Sequence, residues 1–440
     1  METGGARRSS GTIGGTASDD AAEPGSYLVV AKLRLEVIDG SDAGASRVFG
    51  CERIVIGSHD SADFVVRDST VSRMHCELVP TSRRVVVRDL ESKNGTAIHG
   101  ILVREATLTG TAVLELGHTK IRMTLGGDTA QLPLHEADRF GPLVGQSAPM
   151  RRAFALAAGA VDSDAPVLLA GEPGTGKRAL AQAIHDRSAR ADRPLLAVPC
   201  GAMPRELLES ELFGDERGPG APRPGILEAA RGGSVLLDQV GELPIELQPR
   251  LLAALDRREL RRVGGDQPIA IDARLMATTT RNLAAGINGH RFRSDLHARL
   301  SAFQIALPPL RTRRADLALV LNDLANQLQL SEDDRAWLLS PSLLAELGMH
   351  HWPGNLRELR RYVEDCVASR APGPIAALGT EPGPAAVDSS LPLAAARDAF
   401  DRSYAVELLR RHAGDLSAAA RAAGLDHLAL CHLLWRLGIR

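Results

Sequence analysis

The heptapeptide Gly171-Glu172-Pro173-Gly174-Thr175-Gly176-Lys177 stands between an apolar run at 167–170 and a helical run that begins at Arg178. Glycines in that spacing let backbone N–H groups curl around a phosphate. The helix that follows adds a favourable dipole, and a lysine in this place reaches the β- and γ-phosphates. The second chemical signal is Ser234-Val235-Leu236-Leu237-Asp238. Its apolar run delivers Asp238 to the carboxyl end of a buried strand, where a carboxylate can hold Mg²⁺ through water. Hydrolysis needs a second carboxylate at the next position to polarise the attacking water. Here that position is Gln239, a neutral amide and a poor base. The expectation is a site that binds ATP and Mg²⁺ and turns ATP over slowly.

A second set of phosphate-binding groups lies nearer the N-terminus. Ser72 can donate its hydroxyl to a phosphate, Arg73 adds charge-assisted donors, and Asn94 can clamp a peptide backbone. His75, in the same stretch, reads as an interior structural residue rather than a ligand holder.

Composition bounds what these groups can belong to. At roughly 150 residues per domain, 440 residues predict about three domains. With 44% hydrophobic and 24% charged residues, the chain falls in the globular range. The net charge of −2 carries no general attraction for nucleic acid. Only 8 Phe, 3 Trp and 3 Tyr are present, too few for aromatic base-stacking platforms. The 5 cysteines are scattered without a C-x-x-C pair, which argues against zinc or a disulfide framework and suits a reducing cytosol. No apolar run is long enough to span a membrane, and no secretory signal pattern opens the chain. A cytoplasmic location is expected.

The elements that position these groups follow from pattern. Residues 1–26 are poor in core formers and read as a disordered tail. Short β-type runs at 27–30, 33–37, 54–56, 64–66, 76–79, 85–87, 112–114 and 121–123 predict a β-sandwich over 27–126. A polar linker is expected at 127–140. Apolar strands at 167–170, 195–198, 234–237 and 275–278 alternate with amphipathic stretches and predict a doubly wound α/β domain over 141–314, with a helical lid at 315–370. A Pro/Gly-rich linker at 371–392 precedes Ala/Leu-rich helices at 393–440.

Residues 141–370 resemble the AAA+ domain of sigma-54-dependent transcriptional activators, the bacterial enhancer-binding proteins. The resemblance rests on Gly145, on the loop Gly171–Lys177, on Glu209-Ser210-Glu211-Leu212-Phe213-Gly214 and on Gly232 to Asp238. It continues through Phe292 to Leu300, Leu307-Pro308-Pro309-Leu310-Arg311, and Trp352-Pro353-Gly354-Asn355-Leu356-Arg357-Glu358-Leu359. It implies that Gly171, Glu172, Pro173, Gly174, Thr175, Gly176, Lys177 and Arg178 hold ATP, and that Asp238 holds the metal. Arg293 and Arg299 would be arginine fingers that reach the ATP of a neighbouring subunit in a homo-oligomer, a dimer or a ring. Arg357 would be the lid's sensor arginine.

Four departures from the family pattern lie on one path. Gln239 replaces the catalytic carboxylate; Pro199 stands where an Asn would pair with it; Thr280 stands at the sensor Asn. The sigma-54 contact loop is Gly218-Pro219-Gly220-Ala221-Pro222-Arg223-Pro224-Gly225, about four residues shorter than the family's, with no Phe or Thr and with stiffening prolines. Contact with sigma-54 polymerase is implied by the resemblance, yet the residues that make it are altered, so activity is expected to be attenuated or repurposed.

Residues 27–125 resemble a forkhead-associated (FHA) domain through Ile56-Gly57, Ser72-Arg73-Met74-His75, Asp89-Leu90-Glu91-Ser92-Lys93-Asn94-Gly95-Thr96 and His99-Gly100. The resemblance implies recognition of a threonine-phosphorylated protein by Ser58, Ser72, Arg73, Ser92, Asn94 and Gly95. Ser58 stands where the family has an arginine, a loss worth about 1.5–3 kcal/mol for a hydrogen bond to a charged group.

Residues 393–440 resemble a Fis-type helix-turn-helix through Gly414 to Leu425, with a second helix around 427–437. The candidate DNA-contacting residues are Ser417, Arg421, His427, His432 and Arg436. Arg436 is the one fully charged basic residue of the second helix, so weak or cooperative DNA binding is expected. The whole reads as a multidomain protein: an all-β FHA sandwich, an α/β P-loop AAA+ domain with a helical lid, and an all-α helix-turn-helix. Its expected function is ATP- and DNA-binding transcriptional regulation with phosphothreonine input. The alternative is a phosphoprotein-binding oligomeric scaffold without ATPase or DNA-binding activity.

Overall fold

A computed structural model describes residues 27–217 and 222–369, together with positions 416, 420, 430 and 434, which are helical. The chain divides into two compact units, Met1–Val367 and Ala368–Arg440. Among the described residues, no helix is long and apolar enough to cross a membrane.

The first unit begins with a β-sandwich. Its strands are β1 (Tyr27–Asp39), β2 (Ser46–Phe49), β3 (Ile54–Gly57), β4 (Phe64–Val65), β5 (Cys76–Pro80), β6 (Val85–Asp89), β7 (Thr96–Ile98), β8 (Ile101–Val103), β9 (Glu105–Leu108), β10 (Thr111–Leu116) and β11 (Thr119–Pro133). One sheet runs β2-β1-β11-β10-β7-β8 and the other β4-β3-β5-β6-β9. Alternation sets the inner faces. Leu33, Leu35 and Val37 of β1 meet Leu114, Leu116, Ile121 and Met123 in the sandwich core.

Two sequence readings change here. The separate runs at 27–30 and 33–37 are one strand, β1, with a register irregularity between Ala31 and Leu33. The polar residues after 126, expected to be linker, continue β11 to Pro133, because Tyr27–Ala31 pair with them (Tyr27 with Pro133, Ala31 with Thr129). Their polarity marks an exposed ribbon rather than a loop.

Two short strands, β12 (Arg139–Phe140) and β13 (Leu143–Val144), lead into the α/β part. There follow α1 (Ala148–Val161), β14 (Val167–Ala170), α2 (Lys177–His185), β15 (Leu195–Pro199), α3 (Arg205–Phe213), α4 (Ile226–Ala229) and β16 (Ser234–Asp238). The chain continues with α5 (Gln248–Arg257), β17 (Glu259–Leu260), β18 (Ile269–Ala270), β19 (Arg274–Thr279), α6 (Leu283–Asn288), α7 (Ser294–Leu300) and β20 (Phe303–Ala306). The main sheet is parallel, in the order β15-β16-β19-β14-β20. Its central strands are nearly continuous apolar runs, as burial on both faces requires. β15 is an edge strand and only partly buried, unlike the buried strand expected at 195–198. β20 was not anticipated.

The lid is α8 (Leu317–Gln327), α9 (Glu332–Leu338), α10 (Pro341–Met349) and α11 (Asn355–Ser369). Asp316, buried just before α8, accepts from the backbone N–H of Gln146 and of Ser147 and from the Ser147 hydroxyl (2.8, 2.7 and 2.7 Å). Those bonds tie the lid to the start of α1. The sandwich also packs on the α/β part. Ile54 and Ile56 of β3 enter the sandwich core, while Val55, Ala62, Met74 and Leu90 join the core that contains Leu283, Ile287 and Leu296. β3 is therefore buried on both faces.

Candidate functional site

The phosphate loop connects β14 to α2, as the glycine spacing predicts. Gly171, Gly174 and Gly176 have φ of 152°, 76° and 104°, a region that side chains resist. Lys177 is buried, and its ammonium donates to the carbonyls of Gly171 and Glu172, both at 2.7 Å. Burial pulls its pKa down to about 8 despite the nearby Asp238 carboxylate. The Thr175 hydroxyl donates to the Glu172 carbonyl at 2.9 Å, and the Arg178 guanidinium lies 3.7 Å from Asp238.

The lid closes directly on this loop. A Cβ at Gly174 would stand 2.0 Å from the Gly354 carbonyl oxygen. Leu356 N–H donates to the Gly174 carbonyl at 3.1 Å, and Asn355 donates to Glu172 and to the Pro173 carbonyl. Arg311 grips Glu172 with two bonds, at 2.7 and 2.5 Å, and holds that carboxyl below its usual range. Arg357 is exposed, and its charge is felt by Lys177.

Asp238 ends β16 and accepts from the Thr278 hydroxyl at 2.6 Å; that oxygen also receives the Gln239 N–H at 2.9 Å. Sequence reading passed over Thr278. The register that pairs Leu237 with Ala277 places it beside Asp238, and strand alignment is the signal that could have found it. Gln239 adopts a left-handed conformation (φ 59°, ψ 55°) and is exposed. Pro199 pairs in register with Asp238, so the strand neighbour of that carboxylate carries no side-chain amide.

Arg293 caps the N-terminus of α7, Arg299 lies in its last turn, and both are exposed. Arg293 is held by Asp295 (2.6 and 3.0 Å), and Arg299 lies 3.3 Å from both the Asp256 carboxylate and the Leu255 carbonyl. Among the described residues, neither forms a hydrogen bond or ion pair with the Gly171–Lys177 loop of its own chain.

In the sandwich, the loops that carry Ser58, Ser72, Arg73, Ser92 and Asn94 meet at one end. Ser58 N–H donates to the Ser72 carbonyl at 3.0 Å, and the Ser58 hydroxyl donates to the Val71 carbonyl at 2.9 Å. A Cβ at Gly57 would fall 2.0 Å from the Arg73 carbonyl oxygen, so only glycine lets these loops close. Ser72 Oγ accepts Lys93 N–H at 2.9 Å, and Asn94 donates to the Thr70 carbonyl at 2.7 Å. Ser92 instead turns inward, and its N–H and hydroxyl both donate to Asp89 (2.9 and 2.6 Å). His75 is fully buried. Its Nδ1 accepts from Ser72 N–H at 3.0 Å, and its Nε2 then donates to the Gly95 carbonyl at 3.1 Å. Burial lowers its pKa, so it stays neutral and fixes both loops. Arg73, Lys93 and Asn94 are exposed.

Residues 143–306 match a family model described as the Sigma-54 interaction domain, and residues 311–377 one described as an AAA+ ATPase lid domain. The hydrogenase transcriptional regulatory protein HoxA of Bradyrhizobium diazoefficiens is 35% identical over 339 residues, which is 74% of this chain and 69% of HoxA. The chain belongs to the family of sigma-54-dependent transcriptional activators. The response regulator FleR of Pseudomonas aeruginosa, from the same set of relatives, is 43% identical over 238 residues, 53% of this chain and 50% of FleR. This chain thus spans half of FleR's length. Residues 36–125 match a model described as the inner membrane component of T3SS, cytoplasmic domain. The FHA domain of CT664 from Chlamydia trachomatis is 28% identical, covering 21% of this chain and 97% of its own, with a TM-score of 0.21.

Two expected features of a sigma-54 activator lie partly or wholly outside the described residues. Of the sigma-54 contact loop, Gly218–Ala221 are not described; its base is, with Asp215 bridged to Arg223 and to Val263. The candidate DNA contacts Ser417, Arg421, His427, His432 and Arg436 all lie outside the described residues.

Proposed function

We propose that this sigma-54 activator relative binds ATP with Mg²⁺, holds it under the closed lid, and hydrolyses it slowly. The observation that carries this reading is the contrast along β16 and its neighbours. The groups that hold a nucleotide are in place: buried Lys177, the left-handed glycines, and Asp238 at its strand end. The group that would activate water is an exposed amide, Gln239, and the strand neighbour is Pro199. The donor set fits the cofactor. A lone carboxylate beside the Thr278 hydroxyl suits Mg²⁺, which keeps several waters and takes other ligands from phosphate. Bound Mg²⁺ would neutralise phosphate charge. The chain's own residues orient the nucleotide and exclude water through the Glu172–Arg311–Asn355 clamp.

On this reading the protein assembles into a homo-oligomer in which Arg293 and Arg299 serve a neighbour's site. It binds DNA through residues 393–440 and takes input from a threonine-phosphorylated protein at Ser58, Ser72, Arg73 and Asn94. Ser92 caps its own loop and serves the site through Asp89. Contact with sigma-54 polymerase is weakened by the short proline-containing loop.

ATP affinity and ATPase rate measured side by side test the reading. Nucleotide binding with little turnover is expected, and Gln239→Glu should raise the rate about a hundredfold, the lower end for a positioned general base. Robust magnesium-dependent turnover by the unaltered chain would reject it.

A further inference from the structure

We propose that Asn288 of the α/β part is a positioning residue for the phosphopeptide site of the sandwich. The inference rests on the phosphopeptide reading above and extends it to a residue that no motif singles out. Asn288 ends α6. Its amide oxygen accepts Met74 N–H at 3.3 Å, and its amide nitrogen donates to the Met74 carbonyl at 2.6 Å and to the Leu90 carbonyl at 2.8 Å. Met74 directly follows Ser72-Arg73. Leu90 opens the segment that runs on to Asn94. One side chain therefore ties together the backbones of two recognition loops, 214 and 198 residues away in sequence.

Donor and acceptor polarity suits this role. The loops present one N–H and two carbonyls, and a primary amide satisfies all three, whereas a carboxylate would meet two carbonyls with no donor. A third loop is held at the same edge: His59, next to Ser58, bonds its Nε2 to the Ser294 hydroxyl at 3.0 Å. Apolar packing seals the contact, with Met74 and Leu90 at 1% and 2% exposure in the α/β core. Arg73 and Lys93 are exposed at the site, and Asn94, also exposed, donates its amide to the Thr70 carbonyl.

The physical consequence is pre-organisation. Loops that must be ordered on binding cost conformational entropy at that moment. Here the α/β part orders them beforehand from behind. That compensates a pocket with Ser58 in place of a guanidinium. Coupling of this kind is reciprocal. A bound phosphopeptide must in turn stabilise the seating of α6 and of α7, the helix that Arg293 caps and that carries Arg299.

The test uses the full chain and the tightest-binding member of a degenerate phosphothreonine peptide library, with its unphosphorylated form as control. Asn288→Ala should weaken phosphopeptide binding about tenfold, within the usual range of intersite coupling, and leave affinity for an ATP analogue unchanged. In the unaltered chain, the peptide should slow amide hydrogen exchange across residues 283–300, a measurement that stands if the variant folds poorly. Equal peptide affinity in both chains, or unchanged exchange at 283–300, overturns the inference and leaves the phosphopeptide reading intact. No peptide binding by the unaltered chain overturns both.

Discussion

Lys177 shows how a single residue's surroundings set a pH response. It is buried, and its ammonium pKa falls to about 8. Phosphate binding needs the charged form. Below pH 8 the loop is already protonated. Above it, each binding event must draw a proton from solvent, so affinity should fall by about tenfold per pH unit. Stability moves the other way. The unfolded lysine keeps its proton up to its ordinary pKa of 10.5 and the folded one releases it near 8. Between these limits the unfolded state binds more protons, so stability rises with pH through that window. Titration of a fluorescent ATP analogue from pH 7 to 9.5 measures the first effect; a flat profile would show that Lys177 does not neutralise the phosphates. Lys177 and Asp238 were legible in sequence because each belongs to a short contiguous motif. Thr278 was not, because its partner Asp238 sits on another strand. Asn288 was still less so, since its partners are other residues' backbone atoms.

At the scale of elements, two glycines mark where backbones approach too closely for any side chain. Gly174 seats the lid on the phosphate loop with φ 76° and the Gly354 carbonyl 2.0 Å from a would-be Cβ. Gly57 lets β3 pass the Arg73 carbonyl at the same 2.0 Å. Gly174→Ala should displace α11 and lower ATP affinity, with a stability loss of about 1–3 kcal/mol from backbone strain. Gly57→Ala should cost a similar amount, by the same class of mechanism, and impair phosphopeptide binding while leaving ATP affinity intact. Thermal unfolding paired with both binding assays separates the two. If either variant altered both ligands equally, the damage would be general rather than local. The central parallel strands were readable as apolar runs. Short β2, β7, β8 and β9 carry too few residues for a period-2 pattern to stand out. The ribbon of β11 beyond residue 126 escaped because polarity was read as loop, while its pairing with β1 supplies the strand's hydrogen bonds.

For the whole molecule, the net charge of −2 bears on how such a chain could hold DNA. Salt dependence of binding counts the phosphates neutralised, at a slope near −0.9 per contact in a log–log plot. Among the candidate contacts, Arg421 and Arg436 are the fully charged residues of each protomer. A dimer that binds through these residues alone therefore offers four, and the expected slope is about −4. So shallow a slope means modest affinity per protomer, and occupancy then depends on linking several copies through the α/β part. Binding should steepen with protein concentration and strengthen when ATP promotes assembly. Gel-shift titrations between roughly 50 and 200 mM salt, the range over which this term changes affinity most visibly, measure the slope with and without an ATP analogue. A slope much steeper than −4 would place further phosphate contacts outside residues 393–440. No retardation of any promoter fragment at the lowest salt would reject DNA binding through residues 393–440.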